Sequence, residues 1–331
     1  MPRTALLITA LVPCSAAALL AGLFLGAAPL SPHEVIAALL HPNTTGDANT
    51  IVWSLRVPRL CSAAVVGTCL ALAGFLMQGM LRNPLVDPYL TGVSAGAGAA
   101  VAIAISVGTA FAFIPGVGFI AGLATAALVA LLGRRSGRLD AERLILAGVS
   151  LSSLFAAIIA LVLTRTQPGN ASGAIVNWLA GSLAGRGWPE IGWSAPYAAL
   201  GIAAAIALAA PLNALRLGDT RAAALGLNVQ VTQWSVLAAA ALLTAAAVSL
   251  AGIVGFAGLI VPHVARRLVG TDARVAIPAA ALIGPACIAL ADTLGRTIVA
   301  PLEIPLGVVL AFIGVPTFLY LYLSGGRGAW R

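Results

Sequence analysis

The sequence predicts an all-α integral membrane protein with ten transmembrane helices, and three observations predict it. Only 18 of the 331 residues are basic and 10 are acidic, whereas 60% are apolar. The charges fall in short gaps between long runs of Ala, Leu, Val, Ile and Gly. Those runs reach about 20 residues, enough to cross the ~30 Å hydrocarbon core of a bilayer as a helix. Helices are required because lipid offers backbone amides no hydrogen-bond partners. The alternating segments of about ten residues that mark a β-barrel are missing.

In chain order the spans cover 5 to 27, 60 to 81, 90 to 114, 116 to 133, 143 to 163, 193 to 212, 233 to 251, 275 to 294 and 305 to 323, with the stretch 252 to 265 left over. Orientation follows from arginine, because cytoplasmic loops hold the basic excess. The densest basic gap, Gly133 to Arg138, belongs inside. Placing the gaps at Arg3, Arg82, Arg216 with Arg221, Arg266 with Arg267 and Arg274, and Arg327 with Arg331 on that same face leaves one helical hairpin between each neighbouring pair. Five hairpins make ten helices, with both termini cytoplasmic. Residues 234 to 265 would measure ~48 Å as one straight helix, too long for a single untilted crossing. This stretch must therefore go out and return, turning near Gly252, Gly255 and Gly258, and the returning helix is short.

The N-terminus resembles a secretory signal in carrying Arg3, an apolar run and Ala27-Ala28. Its apolar part is long for one, and it reads as an uncleaved first span. Cys14, Cys61, Cys69 and Cys287 lie within apolar spans without metal or redox spacing and read as small packing residues. The formal charge of +8 is mostly the inside-positive bias, so no nucleic-acid partner is expected.

The sequence contains no lysine. The phosphate-binding loop of ATPases needs one to reach the β and γ phosphates. The chain is therefore expected to be no enzyme and to hold no cofactor, with any ATP used by a separate subunit. His33, His41 and His263 are far apart, and no cluster of His, Cys and carboxylate suggests a metal.

From Arg56 the chain reads Arg-Val-Pro-Arg-Leu, then an apolar helix ending at Gln78, then Arg82-Asn83-Pro84-Leu-Val-Asp87-Pro88. Pro84 and Pro88 remove amide donors and disfavour helix just before each, which forces a compact elbow at the inner face. Asn83 and Asp87 can hydrogen-bond the freed backbone groups, and Gly92 with Gly96 allows close helix approach. A rigid packing corner accounts for most of this segment. Leu72-Ala73-Gly74 recurs as Leu250-Ala251-Gly252, which suggests a weak duplication with half-repeats at about 56 to 163 and 234 to 323 inside a single domain, 1 to 331. Transporters often form their pathways at such repeat interfaces.

Arg56-Val-Pro-Arg59, Gln78 followed by Arg82-Asn83-Pro84-Leu85, Gly92-Val-Ser-Ala-Gly96-Ala, Gly255-Phe-Ala-Gly-Leu-Ile-Val-Pro-His263 and Glu303-Ile-Pro-Leu-Gly-Val together resemble the FecCD-type permeases of ABC importers for iron chelates, haem and vitamin B12. The resemblance runs over nearly the whole chain. It departs where that family often has histidine before the last arginine of the inner loop and this chain has Ala273.

The resemblance implies a type II importer permease of the cytoplasmic (inner) membrane. It would pair with a second copy or a close paralogue, two cytoplasmic ATP-binding subunits and an external solute-binding protein. The coupling loop falls at about 213 to 234, with Leu217, Gly218, Asp219, Arg221, Ala224, Leu225 and Gly226 as its candidates. A solvated connector is the competing reading, and the apolar face of Ala222 to Leu225 favours coupling. Arg56, Arg59, Arg165, Arg186 and Arg296 break the inside rule. Of these, Arg56, Arg59 and Arg296 match the family's docking arginines for the binding protein, with snorkelling to headgroups as the alternative. Arg296 also stands four residues after Asp292, a pair worth ~0.2 to 0.5 kcal/mol. The family's path falls on the fifth span, the short outer helix and the tenth span, where Ser150, Ser153, Asn177, Trp178 and Ser182 are the polar or aromatic members. Helix-to-helix hydrogen bonds explain buried serines equally well. A ferric siderophore leads as cargo on family frequency, with haem or cobalamin next. A secondary transporter is the alternative class, but it would place ionisable groups at mid-membrane, and only Asp292 lies in a span, near its outer end.

Overall fold

The computed structural model describes residues 2–324 apart from 27, 43, 136, 137 and 168; Arg327 and Arg331 lie outside them. Among the described residues the regular structure is helical except for one short antiparallel pairing of Arg134–Arg135 with Arg138–Leu139. α1 (Pro2–Phe24) leads to the short α2 (Pro32–Leu40), where a Ser31/Glu34 capping box satisfies the first amides. α3 (Asp47–Thr50) continues through a π turn (Ile51–Arg56) into α4 (Val57–Met80). This unbroken run of 34 residues starts earlier than the apolar pattern predicts. The π turn stands just ahead of Pro58, where the missing proline amide interrupts the regular ladder.

The elbow falls where the two prolines place it. Arg82 takes positive φ, the Asn83 side chain accepts from the Leu85 amide at 2.9 Å, and Asp87 accepts from the Tyr89 amide at 2.9 Å. A 3-10 turn, Pro88–Thr91, ends at Gly92 with φ +72°, a conformation that costs glycine least. α5 (Val93–Ser106) is then only 14 residues long: the 3-10 turn takes its start, and at its end Gly108 at φ +79° closes the helix, the Thr109 amide donating to the Ala104 carbonyl at 2.9 Å. α6 (Ile114–Leu132), α7 (Ala141–Arg165), the short α8 (Asn170–Ala180), and α9 (Trp188–Ala207) with α10 (Ala209–Arg216) follow, the last two bent by 53°. α11 (Asp219–Ala224) precedes α12 (Val229–Ala251). The undecided stretch breaks as expected: α12 stops at Gly252 (φ +71°) and α13 (Ala257–Val269) restarts five residues later, 13 residues long. α14 (Ala273–Thr297) and α15 (Leu306–Ser324) complete the chain.

Among the described residues, six helices are long and apolar enough to cross a membrane, or seven with the α9–α10 pair as one bent span. The other predicted spans correspond to α5, α13 and α15, whose described apolar lengths fall short, so the count of ten does not follow from helix length. The two Leu-Ala-Gly triplets occupy different places in their helices. Gly74 sits inside α4, which runs on to Met80, whereas Gly252 terminates α12.

α4 and α12 form the centre, each with 78% of its span buried. α4 packs at backbone distance on its neighbours. A Cβ at Gly67 would overlap the Gly284 carbonyl of α14, and one at Gly74 would overlap the Gly258 carbonyl of α13. Without a hydrophobic drive between helices in lipid, such close van der Waals contact supplies the association. Gly74→Ala is therefore expected to lower stability by about 1–3 kcal/mol through overpacking. Gly116→Ala, whose new Cβ meets nothing within 4 Å, is expected to leave it nearly unchanged. Thermal unfolding of both variants in detergent checks the contrast.

Candidate functional site

Two polar clusters stand at opposite ends of the bundle. At one end the C-terminus of α1 leaves carbonyls with no partner inside the helix. Arg56, 3% exposed, answers them: Nη1 donates to the Leu23 and Phe24 carbonyls at 2.6 and 3.2 Å, and Nη2 to the Ala28 carbonyl at 2.6 Å. Arg296, 4% exposed, donates to the Gly22 carbonyl and faces Asp292 at 3.7 Å, the i,i+4 pair that the sequence anticipates. Asp292 is itself buried and accepts from Nε and Nη2 of Arg59, each at 2.9 Å. Arg59 also meets Glu303 at 2.9 and 3.0 Å.

The structure gathers the three docking candidates, Arg56, Arg59 and Arg296, into this one cluster. Arg56 and Arg296 do not present charge at the surface, because the end of α1 and Asp292 need their donors inside the fold. Only the Arg59–Glu303 pair reaches the rim, with side-chain exposures of 14% and 36%. Asp292 was legible as a helix partner of Arg296. Its bidentate bond to Arg59, 233 residues away, was not.

Beside this cluster lies a cavity of about 640 Å³ walled by Asn177, Trp178, Ser182, Arg186, Glu190 and Glu303. The Trp178 indole N–H and the Arg186 Nε–H are buried without partners among the described residues. Both can donate to an oxygen acceptor placed in the cavity. Burial lowers the Arg186 pKa, and nearby Glu190 opposes that shift. Three of the five candidate path residues thus share one wall. Ser150 and Ser153 do not join them. They lie on the exposed face of α7, only 6% of whose span is buried, and the Ser153 hydroxyl donates to the Val149 carbonyl at 3.0 Å.

The opposite end holds the arginine-rich face. Gln78, 4% exposed, clasps the elbow to α13, donating from Nε2 to the Val86 and Gly258 carbonyls, both at 3.2 Å, and accepting from Arg266 through Oε1. Pro88 packs against Gly258. Tyr89 closes the α12–α13 break, its hydroxyl donating to the Val254 carbonyl and accepting from the Val254 amide, both at 2.8 Å.

Arg82 joins the elbow to the segment after α10, pairing with Asp219 and donating to the Leu215 carbonyl at 3.0 Å. Gly218 and Gly226, both at positive φ, bracket α11 and its C-cap Leu225. On this segment Ala222 is buried while Arg221, Ala224 and Leu225 face outward, Leu225 at 69% and Leu217 at 52% exposure. Asp272 caps α14. The Arg274 amide and the Asn213 side chain, which donate to it at 2.9 and 2.6 Å, hold its carboxyl below the usual range. Sequence reasoning used Arg216 and Arg266 only as topology markers and missed this polar assembly.

A helical, many-span protein with a polar vestibule at one end and an exposed short helix clasped to a basic face at the other has the organisation of a membrane transporter. Residues 14–324 match the FecCD transport family. The Fe(3+)-citrate import system permease protein YfmE of Bacillus subtilis is 35% identical over 97% of this chain and 95% of its own length. The hemin transport system permease protein HmuU of Yersinia pestis is 36% identical over 92% and 93%. A solved metal-chelate type ABC transporter in an inward-facing conformation superposes with a TM-score of 0.86 at 30% identity, covering 96% of this chain and 98% of that one. The chain belongs to the FecCD transport family.

Because Asp292 sits between two guanidiniums, Asp292→Asn should destabilise the fold by about 3–5 kcal/mol, the cost of leaving buried charge unpaired. Glu303→Gln, which removes only the rim pair, should cost about 0–1 kcal/mol. Thermal unfolding in detergent ranks the two.

Proposed function

We propose that this chain is the permease subunit of an ATP-binding cassette importer and passes a ferric siderophore or similar metal chelate inward across the bacterial cytoplasmic membrane. The observation that carries the reading is the short α11 segment. It holds Leu217 and Leu225 uncovered at the arginine-rich face and is tied to the elbow through Arg82 and Asp219. Exposed leucine on a polar face suits burial in a partner, and with no lysine in the chain the ATP-driven motor is such a partner. The relatives named above carry ferric citrate and hemin as cargoes, which favours a bulky chelate. A haem or cobalamin importer is the alternative within the same class.

In this reading the chain crosses ten times with both ends inside, the shorter α5, α13 and α15 completing the count. The uncovered apolar face of α7 meets a second permease copy across the path, Ser150 and Ser153 included. Asn177, Trp178 and Ser182 shape the outer vestibule. An external binding protein engages the rim at Arg59 and Glu303, which Arg56 and Arg296 brace from below. ATP-driven movement of α11 reaches the elbow through Arg82 and then α13 through Gln78, so the two faces open in turn. An ion-coupled mechanism would need a carboxylate ready to exchange protons, and Asp292 is committed to Arg59 and Arg296.

Proteoliposomes holding this chain and its ATPase subunit are expected to take up ferric chelate on ATP addition in the presence of binding protein. Leu225→Asp should cut copurification of the ATPase and uptake together by about tenfold or more. Uptake driven by a proton gradient without ATP, or normal coupling in Leu225→Asp, would contradict the proposal.

A further inference from the structure

A second cavity, about 600 Å³, opens at the arginine-rich face around the end of α4. Arg82, Arg216, Arg266 and Arg267 line it, and Asp272 is the carboxylate on its wall. Arg82 already pairs with Asp219, and Asp272 is taken up by Asn213 and the Arg274 amide. Arg216 rests on the Thr271 carbonyl, and Arg266 on the Gln78 side-chain carbonyl, with its guanidinium 5.2 Å from the centre of the Phe75 ring. Both therefore sit against neutral acceptors. Among the described residues, no carboxylate lies within ion-pair distance of Arg216, Arg266 or Arg267.

Four guanidinium charges thus face two carboxylates, leaving two positive charges uncompensated in a concave, partly desolvated site. We infer that this cavity is an anion site for a phosphate group, carried by a soluble phosphate ester or by an anionic lipid headgroup. A phosphate monoester carries about two negative charges and three acceptor oxygens at neutral pH. Guanidinium forks match those oxygens in bidentate geometry better than any point charge does. Basic pockets between helices on the cytoplasmic side of a membrane protein are the setting in which headgroup phosphates bind. The volume exceeds that of phosphate alone and lies within the ~300–1,000 Å³ of small-molecule sites. Arg216 ends the helix that leads into α11, and Arg266 lies on α13. A bound phosphate would therefore brace the exposed segment against the bundle and regulate its movement.

The test uses the full chain in nanodiscs and reads ligand binding, so it is independent of whether the chain transports a chelate. In phosphatidylcholine discs, inorganic phosphate should raise the thermal midpoint saturably beyond chloride at matched ionic strength. Arg216→Gln and Arg266→Gln should each weaken that effect by about tenfold. Arg266→Lys should retain part of it, and Arg143→Gln, which is outside the cavity, all of it. Should Arg266→Gln fail to fold, Arg267→Gln read against Arg143→Gln serves instead. Phosphatidylglycerol discs separate the sources. Loss of the phosphate effect, with the lipid retained in native mass spectra of the wild type but not of Arg216→Gln, identifies the headgroup. An undiminished phosphate effect identifies a soluble ligand. Equal responses in wild type and the arginine variants would overturn the inference. So would no response to either probe with the variants impaired only in ATPase copurification, which would make the cavity a socket for an acidic side chain.

Discussion

Lipid supplies no hydrogen bonds, so every place where a helix in this chain stops or breaks inside the bundle must be closed by the chain itself. Three of these closures use polar side chains reaching across the fold. Arg56 and Arg296 close the end of α1, Gln78 closes the elbow after α4, and Tyr89 closes the gap between α12 and α13. The cost of leaving such groups unmet in a low-dielectric interior is what makes these few residues structural. Charged residues are scarce in the chain because lipid excludes them, and several of those that remain stand at its discontinuities.

Those discontinuities are also linked to one another. The elbow, the α12–α13 break and the bent α9–α10 pair are joined through Gln78, Tyr89 and Arg82. A displacement of α11 therefore has a continuous route of hydrogen bonds and ion pairs into the centre of the bundle. At the other end the Arg59, Asp292 and Glu303 cluster fixes α4 to α14 and to the turn before α15. Rigid packing of α4 through Gly67 and Gly74 lies between the two.

Much of this was readable from residues. Lipid demands length and apolarity, so the spans stand out as runs, and Pro84 with Pro88 marks the elbow because proline cannot donate. The break after Ala251 follows from a stretch too long for one crossing. Other features had no local signal. The helix from Asp47 crosses polar residues that a hydropathy pattern rejects, and α5 is short because a 3-10 turn takes its start and Gly108 at positive φ ends it. The partners of Arg56 and Arg296 had no local signal either, because their acceptors are carbonyls some 30 to 270 residues away in sequence. Serines on α7 are polar without being gathered into the vestibule, and spacing cannot separate those cases.

The proposed function requires the two polar ends to lie on opposite faces of the membrane, with the arginine-rich one inside. Labelling with a membrane-impermeant maleimide in intact cells tests this most directly, using a chain freed of its native cysteines and carrying a single cysteine at Leu225 or at Ala110, both exposed and at opposite ends. Ala110→Cys should react in intact cells and Leu225→Cys only after permeabilisation. Reaction of both from the same side, or of Leu225→Cys alone in intact cells, would contradict the arrangement.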